Sequence, residues 1–186
     1  MPRTKIIFLP GNGGGGPGDN WFPYLKQKLS EVDLLVIAEE FPDNILARES
    51  SWLPFVKKLG ADENTILIGH SSGAIAAMRF AQQNKILGSI LVGAYHTDLG
   101  LETEKQSGYF DRPWDFKAVK NNQEWIALFA GKDDPWIPVE EARFLNEVLE
   151  TYYFEFPKAG HFGGDYLKLE FPEIVTFIAQ RLNLKF

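Results

Sequence analysis

The chain of 186 residues reads as a single α/β domain, a three-layer αβα sandwich built on about six mostly parallel strands. Three observations lead there. Short apolar runs alternate with longer amphipathic stretches. The runs are unbroken rather than alternating in and out, as in strands covered by helices on both faces. No repeat or shift in composition divides residues 1–186, and strands separated by helical stretches imply βαβ units.

The strands are expected over residues 5–9, 34–38, 65–69, 89–92, 125–130 and 152–156. Trp21, Leu25 and Leu29 then share one helical face at i, i+4, i+8. Trp52, Leu53, Phe55, Val56 and Leu59 form a second face, with Pro54 acceptable only close to the first turn. Residues 74–81 are rich in alanine, a strong helix former, and residues 138–149 and 171–182 complete the set. Hydrophobic residues make up 45% and charged ones 24%, which excludes a largely disordered chain.

The absence of cysteine excludes disulfides, thiolate metal sites and cysteine nucleophiles together. A net charge of −6 without a basic stripe argues against nucleic acid as a partner. No run of apolar residues is long enough for a membrane span. The first apolar stretch, broken by Pro10 and Gly11, is too short for a signal peptide. A cytosolic protein without cofactor or metal is therefore expected.

Gly69-His70-Ser71-Ser72-Gly73 matches Gly-x-Ser-x-Gly directly after one expected strand and directly before one expected helix. That context gives the pattern its weight, because a tight strand-to-helix turn exposes the central hydroxyl at the carboxyl end of the sheet. A hydroxyl needs a base held by a third group, and in this topology the order is Ser, then acid, then His. Of three histidines, His161 in Ala159-Gly160-His161-Phe162-Gly163 follows the last strand, and its flanking glycines would let the loop reach the serine. His70 and His96 fit structural or pocket-lining roles better. The acid belongs after the fifth strand, in Gly131-Lys132-Asp133-Asp134-Pro135. Counting from the glycine selects Asp134, with Asp133 as the alternative.

Pro10-Gly11-Asn12-Gly13-Gly14-Gly15-Gly16-Pro17-Gly18 follows the first strand. Gly11, Gly13 and Gly16 formally satisfy Gly-x-Gly-x-x-Gly, so a dinucleotide-binding protein is the second reading. Pro17 and Gly18 delay the helix that such a site requires. The loop suits a hydrolase better, with an amide near Asn12 and the amide of Ser72 as oxyanion donors. A non-catalytic binding module on the same fold is a third reading.

The motifs together carry a resemblance. The glycine loop, Pro42-Asp43 through Ala47-Arg48-Glu49-Ser50, Gly69 through Arg79, Ser107-Gly108-Tyr109-Phe110 with Arg112-Pro113-Trp114, and Asp133-Asp134-Pro135 resemble the small serine hydrolases of the retinoblastoma-binding protein nine type. The resemblance implies a compact α/β-hydrolase fold with little or no lid, and Ser71, Asp134 and His161 as catalytic residues. Where that family has a Leu-x-Cys-x-Glu segment, this chain has Leu59-Gly60-Ala61-Asp62-Glu63, so a retinoblastoma-type contact is not expected.

The resulting expectation is hydrolysis of a small ester or amide through an acyl-enzyme. His161 must be neutral to act, so the rate should rise with pH as imidazole loses its proton. An aromatic substrate wall is expected from Tyr95, His96, Tyr109, Phe110, Trp114, Trp136 and Phe162.

Overall fold

The computed structural model describes residues 3–164 and 167–185. Six parallel strands form one sheet: β1 (Lys5–Leu9), β2 (Leu35–Ile37), β3 (Thr65–His70), β4 (Gly88–Val92), β5 (Trp125–Gly131) and β6 (Tyr152–Phe156), in the order β2-β1-β3-β4-β5-β6. The helices are α1 (Phe22–Ser30), α2 (Glu49–Lys58), α3 (Ser72–Gln83), α4 (Glu102–Ser107), α5 (Phe116–Asn121), α6 (Val139–Leu149) and α7 (Pro172–Leu182). This is the α/β-hydrolase architecture that the sequence predicts.

The unbroken apolar runs have a direct cause. In β1, Ile7 and Leu9 enter the core under α2, α3 and α6, while Ile6 and Phe8 enter the core under α1 and α7. Successive side chains point to opposite faces, and both faces are covered. The edge strands depart from this pattern: Leu35 in β2 and Tyr152 in β6 are exposed. They lie at the rims, where helical cover ends.

The order of the strands places the functional crevice. After β1 the chain leaves through α1 toward β2, and after β3 it leaves through α3 on the opposite face toward β4. Neighbouring strands whose helices diverge leave a gap at their carboxyl ends, where open α/β sheets hold ligands. The glycine loop after β1 and Ser71 after β3 flank that gap.

Two features lie outside the expected pattern. Pro54 sits inside α2, beyond its first turn. It is exposed, so the carbonyl that loses its helical donor can turn to water. The connection from β4 to β5 contains α4 and α5, six residues each. Arg79, fully buried on α3, holds this excursion by donating to the carbonyls of Tyr109, Arg112 and Pro113. Its guanidinium also stacks 3.6 Å from the Trp114 ring. No helix among the described residues is long and apolar enough to cross a membrane.

Candidate active site

Ser71 stands between β3 and α3 at φ 54° and ψ −123°, a backbone conformation that an L side chain adopts only when its surroundings impose it. The two motif glycines are those surroundings. A Cβ on Gly69 would lie 2.3 Å from the Gly73 carbonyl oxygen, and one on Gly73 only 2.1 Å from that of Leu9. The close crossing of α3 over β1 and β3 therefore excludes side chains at both places. The Ser71 N–H donates to the Val92 carbonyl at 2.9 Å, which locks the elbow to β4.

His161 comes from the loop after β6 and Asp134 from the loop after β5. The His161 Nδ1 lies 2.6 Å from the Asp134 Oδ2, with both side chains nearly buried. The other carboxylate oxygen accepts from the N–H groups of Trp136 and Ile137, each at 2.9 Å. Burial disfavours the Asp134 charge, but the hydrogen bond and charge of His161 and the two backbone donors outweigh it, so the carboxyl stays below its ordinary range. Asp134 is thus an anion, fixed in orientation, aimed at one imidazole nitrogen.

Asp133 does something different. Its Oδ1 accepts from the N–H groups of Ala159 and Gly160, each at 2.9 Å, so it holds the turn that carries His161. Phe162 secures the other side of that turn, fully buried and stacked 5.3 Å from Phe171, with its carbonyl accepting from the Trp21 indole at 3.0 Å. The glycines beside His161 shape an anchored turn instead of freeing a loop.

His70, which the sequence assigns a structural or pocket-lining role, packs directly on the site and lines the cleft. Its ring centroid is 4.8 Å from that of His161, and its Nε2 donates to the His161 carbonyl at 2.7 Å. Burial first, and then the neighbouring charge of His161, push its pKa down from 6.5 to about 3. The folded protein keeps His70 neutral, whereas the unfolded chain binds a proton below pH 6.5. Stability tied to this residue is therefore full above that pH and falls as pH drops toward 3. The expected loss is about 2 kcal/mol between pH 8 and pH 5. Urea midpoints over that range for wild type and His70→Gln check it: the variant should show a shallower decline, and parallel declines would contradict the assignment.

Ser71, His70, His161 and Trp136 line one cleft of about 410 Å³ together with the loop from Pro10 to Gly15. That loop is fixed, with the N–H groups of Gly13 and Gly14 donating to the carbonyls of Ile45 and Asn44, each at 3.0 Å. It opens no helix, since α1 begins only at Phe22, so the geometry of a dinucleotide fingerprint at Gly11, Gly13 and Gly16 is not built. Asn12 lines the cleft. Ser72 is the first residue of α3, and an N–H in a first turn has no helical acceptor. Ser72 follows Ser71 directly in the chain, so the N-terminal end of α3, with its partial positive charge, begins beside the cleft that Ser71 lines.

The aromatic wall does not form as expected. Of the seven residues, Trp136 lines the cleft, 53% exposed, with its ring centroid 5.1 Å from that of His161 in an edge-on arrangement. Tyr95, Tyr109 and Phe162 are fully buried core residues. His96 pairs with Glu141 at 2.6 Å and stacks on Phe144. Phe110 and Trp114 pack beside the α3 core and border a separate shallow hollow. Aromatic rings after β4 serve packing because Arg79 and α3 draw that excursion onto the domain.

Leu59 to Glu63 forms the turn from α2 into β3. Gly60 adopts φ +83°, and Asp62 accepts from the Asn64 N–H and the Thr65 hydroxyl. A structural role accounts for the segment.

The serine hydrolase family matches the chain over residues 6–180. The chain is 41% identical over 183 residues to "Serine hydrolase RBBP9" of Rattus norvegicus, covering 97% of this chain and 96% of that protein. It is 26% identical over 171 residues to "Putative hydrolase YdeN" of Bacillus subtilis (strain 168), covering 87% and 88%. The crystal structure of the B. subtilis ydeN gene product superposes with a TM-score of 0.87 at 22% identity, over 97% of this chain and 99% of that one, and so shares the fold. The chain therefore belongs to the serine hydrolase family and is an enzyme acting on ester- or amide-type bonds.

Proposed function

We propose that Ser71, His161 and Asp134 form the catalytic triad, and that the enzyme cleaves a small ester or amide through an acyl-enzyme. The observation that carries this reading is the His161–Asp134 pair at 2.6 Å in the same cleft as the strained Ser71. Ser71 Oγ attacks the substrate carbonyl while His161 takes its proton. Asp134 holds the imidazole and stabilises the imidazolium. The amides of Ser72 and Asn12 receive the oxyanion. The proton then passes from His161 to the leaving group, and water repeats the sequence to release the acid and free Ser71. Trp136 at the rim supplies an apolar contact for the substrate. The cysteine-free composition supports a place in the reducing cytosol.

A p-nitrophenyl acetate assay tests the reading. Wild type should release a burst of p-nitrophenol close to one equivalent per enzyme, followed by slower turnover, and Ser71→Ala should show neither phase. Turnover in Ser71→Ala equal to wild type would move the nucleophile elsewhere.

A further inference from the structure

Glu104 is a buried acid that the mechanism above does not use, and it connects the two candidate oxyanion donors. One carboxylate oxygen, Oε1, accepts from Asn12 Nδ2 at 2.9 Å. The other, Oε2, accepts from the Tyr95 hydroxyl at 2.7 Å. The Tyr95 oxygen lies 3.2 Å from Ser72 Oγ. Because the Tyr95 hydrogen points to Glu104, Ser72 must be the donor in that last bond. The side chains of Asn12, on the loop after β1, and Ser72, at the start of α3, are thereby joined through Tyr95 and one carboxylate.

We propose that Glu104 is a positioning residue that sets the spacing of the Asn12 and Ser72 amides and so forms the oxyanion site. The inference rests on the triad reading above. Glu104, Tyr95 and Ser72 are 4%, 1% and 1% exposed, so water does not compete for the Tyr95 bonds, and the Asn12 end reaches the cleft. A network with every member satisfied in a low-dielectric interior is rigid, whereas a half-satisfied one is costly. Oxyanion stabilisation depends on donors fixed before charge develops, and a side-chain tether on each donor residue restricts the motion of its backbone amide. The tether is itself held from behind. Ser107 Oγ closes α4 onto the Glu104 carbonyl at 2.6 Å, and Arg79 grips the segment that follows. This gives a use to the α4 excursion.

Glutamine can replace the tether without breaking it. Its Oε1 accepts from Asn12 Nδ2, its Nε2 donates to the Tyr95 oxygen, and Tyr95 then donates to Ser72. Alanine leaves Asn12 and Tyr95 without that partner, and Tyr95→Phe cuts only the branch to Ser72.

The test compares Glu104→Ala, Glu104→Gln and Tyr95→Phe by steady-state p-nitrophenyl acetate hydrolysis and by the rate of fluorophosphonate labelling. Glu104→Ala should lose about 100-fold in kcat with KM changed less than about threefold, because a small misplacement of donors acts on the transition state. Glu104→Gln should recover at least about tenfold of that loss, and Tyr95→Phe should lie between them. Should Glu104→Ala fail to fold, Tyr95→Phe, which removes a single oxygen, carries the comparison. Equal kcat in all the folded variants and wild type would overturn the inference while leaving the triad intact, and so would equal losses in the alanine and glutamine variants. Absence of labelling in wild type would overturn the triad reading, and the inference with it.

Discussion

Asp134→Asn should lower kcat by about 10⁴-fold while leaving the fold intact. The asparagine oxygen can still accept from the Trp136 and Ile137 N–H groups that Asp134 now engages, so its loop keeps its place. The amide nitrogen, however, would point a hydrogen at His161 Nδ1, where a carboxylate now accepts at 2.6 Å. That enforces the tautomer with the proton on the other nitrogen, which cannot take a proton from Ser71. Asp133→Asn provides the control, since its remaining oxygen can still accept from Ala159 and Gly160. It should cost less than about tenfold, in line with the modest value of neutral hydrogen bonds. Steady-state kinetics of the two variants side by side decide the matter, and the opposite ranking would move the acid to Asp133.

Gly73→Ala should be the most damaging single methyl addition in the elbow. The new Cβ would meet the carbonyl oxygens of Leu9 and Pro10 at 2.1 and 2.4 Å. Both belong to backbone, and neither can rotate away as a side chain would. Relief requires α3 to lift from β1, which carries Ser71 out of its strained setting and shifts Asn12 on the neighbouring loop. A destabilisation of about 3 kcal/mol, at the upper end for overpacking, is expected, with loss of esterase activity in whatever protein folds. Thermal unfolding and burst amplitude measured on the same sample check this, and a variant with wild-type values in both would refute the account of the elbow.

Much of this was legible in the sequence, for reasons that belong to particular residues. The six strands were readable because strands apolar on both faces leave unbroken runs such as Ile66-Leu67-Ile68. The serine elbow was readable because Gly69 and Gly73 are demanded by backbone proximity. Asp134 and His161 followed from chain order, and the structure brings them within one hydrogen bond. The helices α4 and α5 were not legible, because six residues are too few to establish a period. Of the seven aromatic candidates, Trp136 lines the cleft with Ser71, and the others pack elsewhere. Tyr95 and Trp114 look alike in sequence whether they face a cleft or a core, and tertiary partners decide between the two: Glu104 for Tyr95, Arg79 for Trp114. Asp133 carried no signal separating a turn residue from a clamp on the His161 loop. Glu104 was invisible for the same reason: its partners lie 92 residues upstream in Asn12 and 9 residues upstream in Tyr95. Contacts that depend on tertiary closure leave no periodic trace.

The same distinction explains why the glycine loop was ambiguous. Gly11, Gly13 and Gly16 satisfy a dinucleotide pattern in spacing, but the pattern works only when a helix opens at the third glycine. Here Gly16 is followed by a turn closed by the Asp19 carboxylate on the Gly16 N–H at 2.8 Å, and the loop borders Ser71 instead.

The central claim is that Ser71 is the nucleophile, and covalent labelling tests it most directly. Wild type and Ser71→Ala would each be treated with a fluorophosphonate, with the adduct followed by intact mass and located by peptide mapping. The account predicts one phosphonyl group per wild-type chain, on Ser71, and none on the variant. No adduct on wild type, or the same adduct on both proteins, would contradict it.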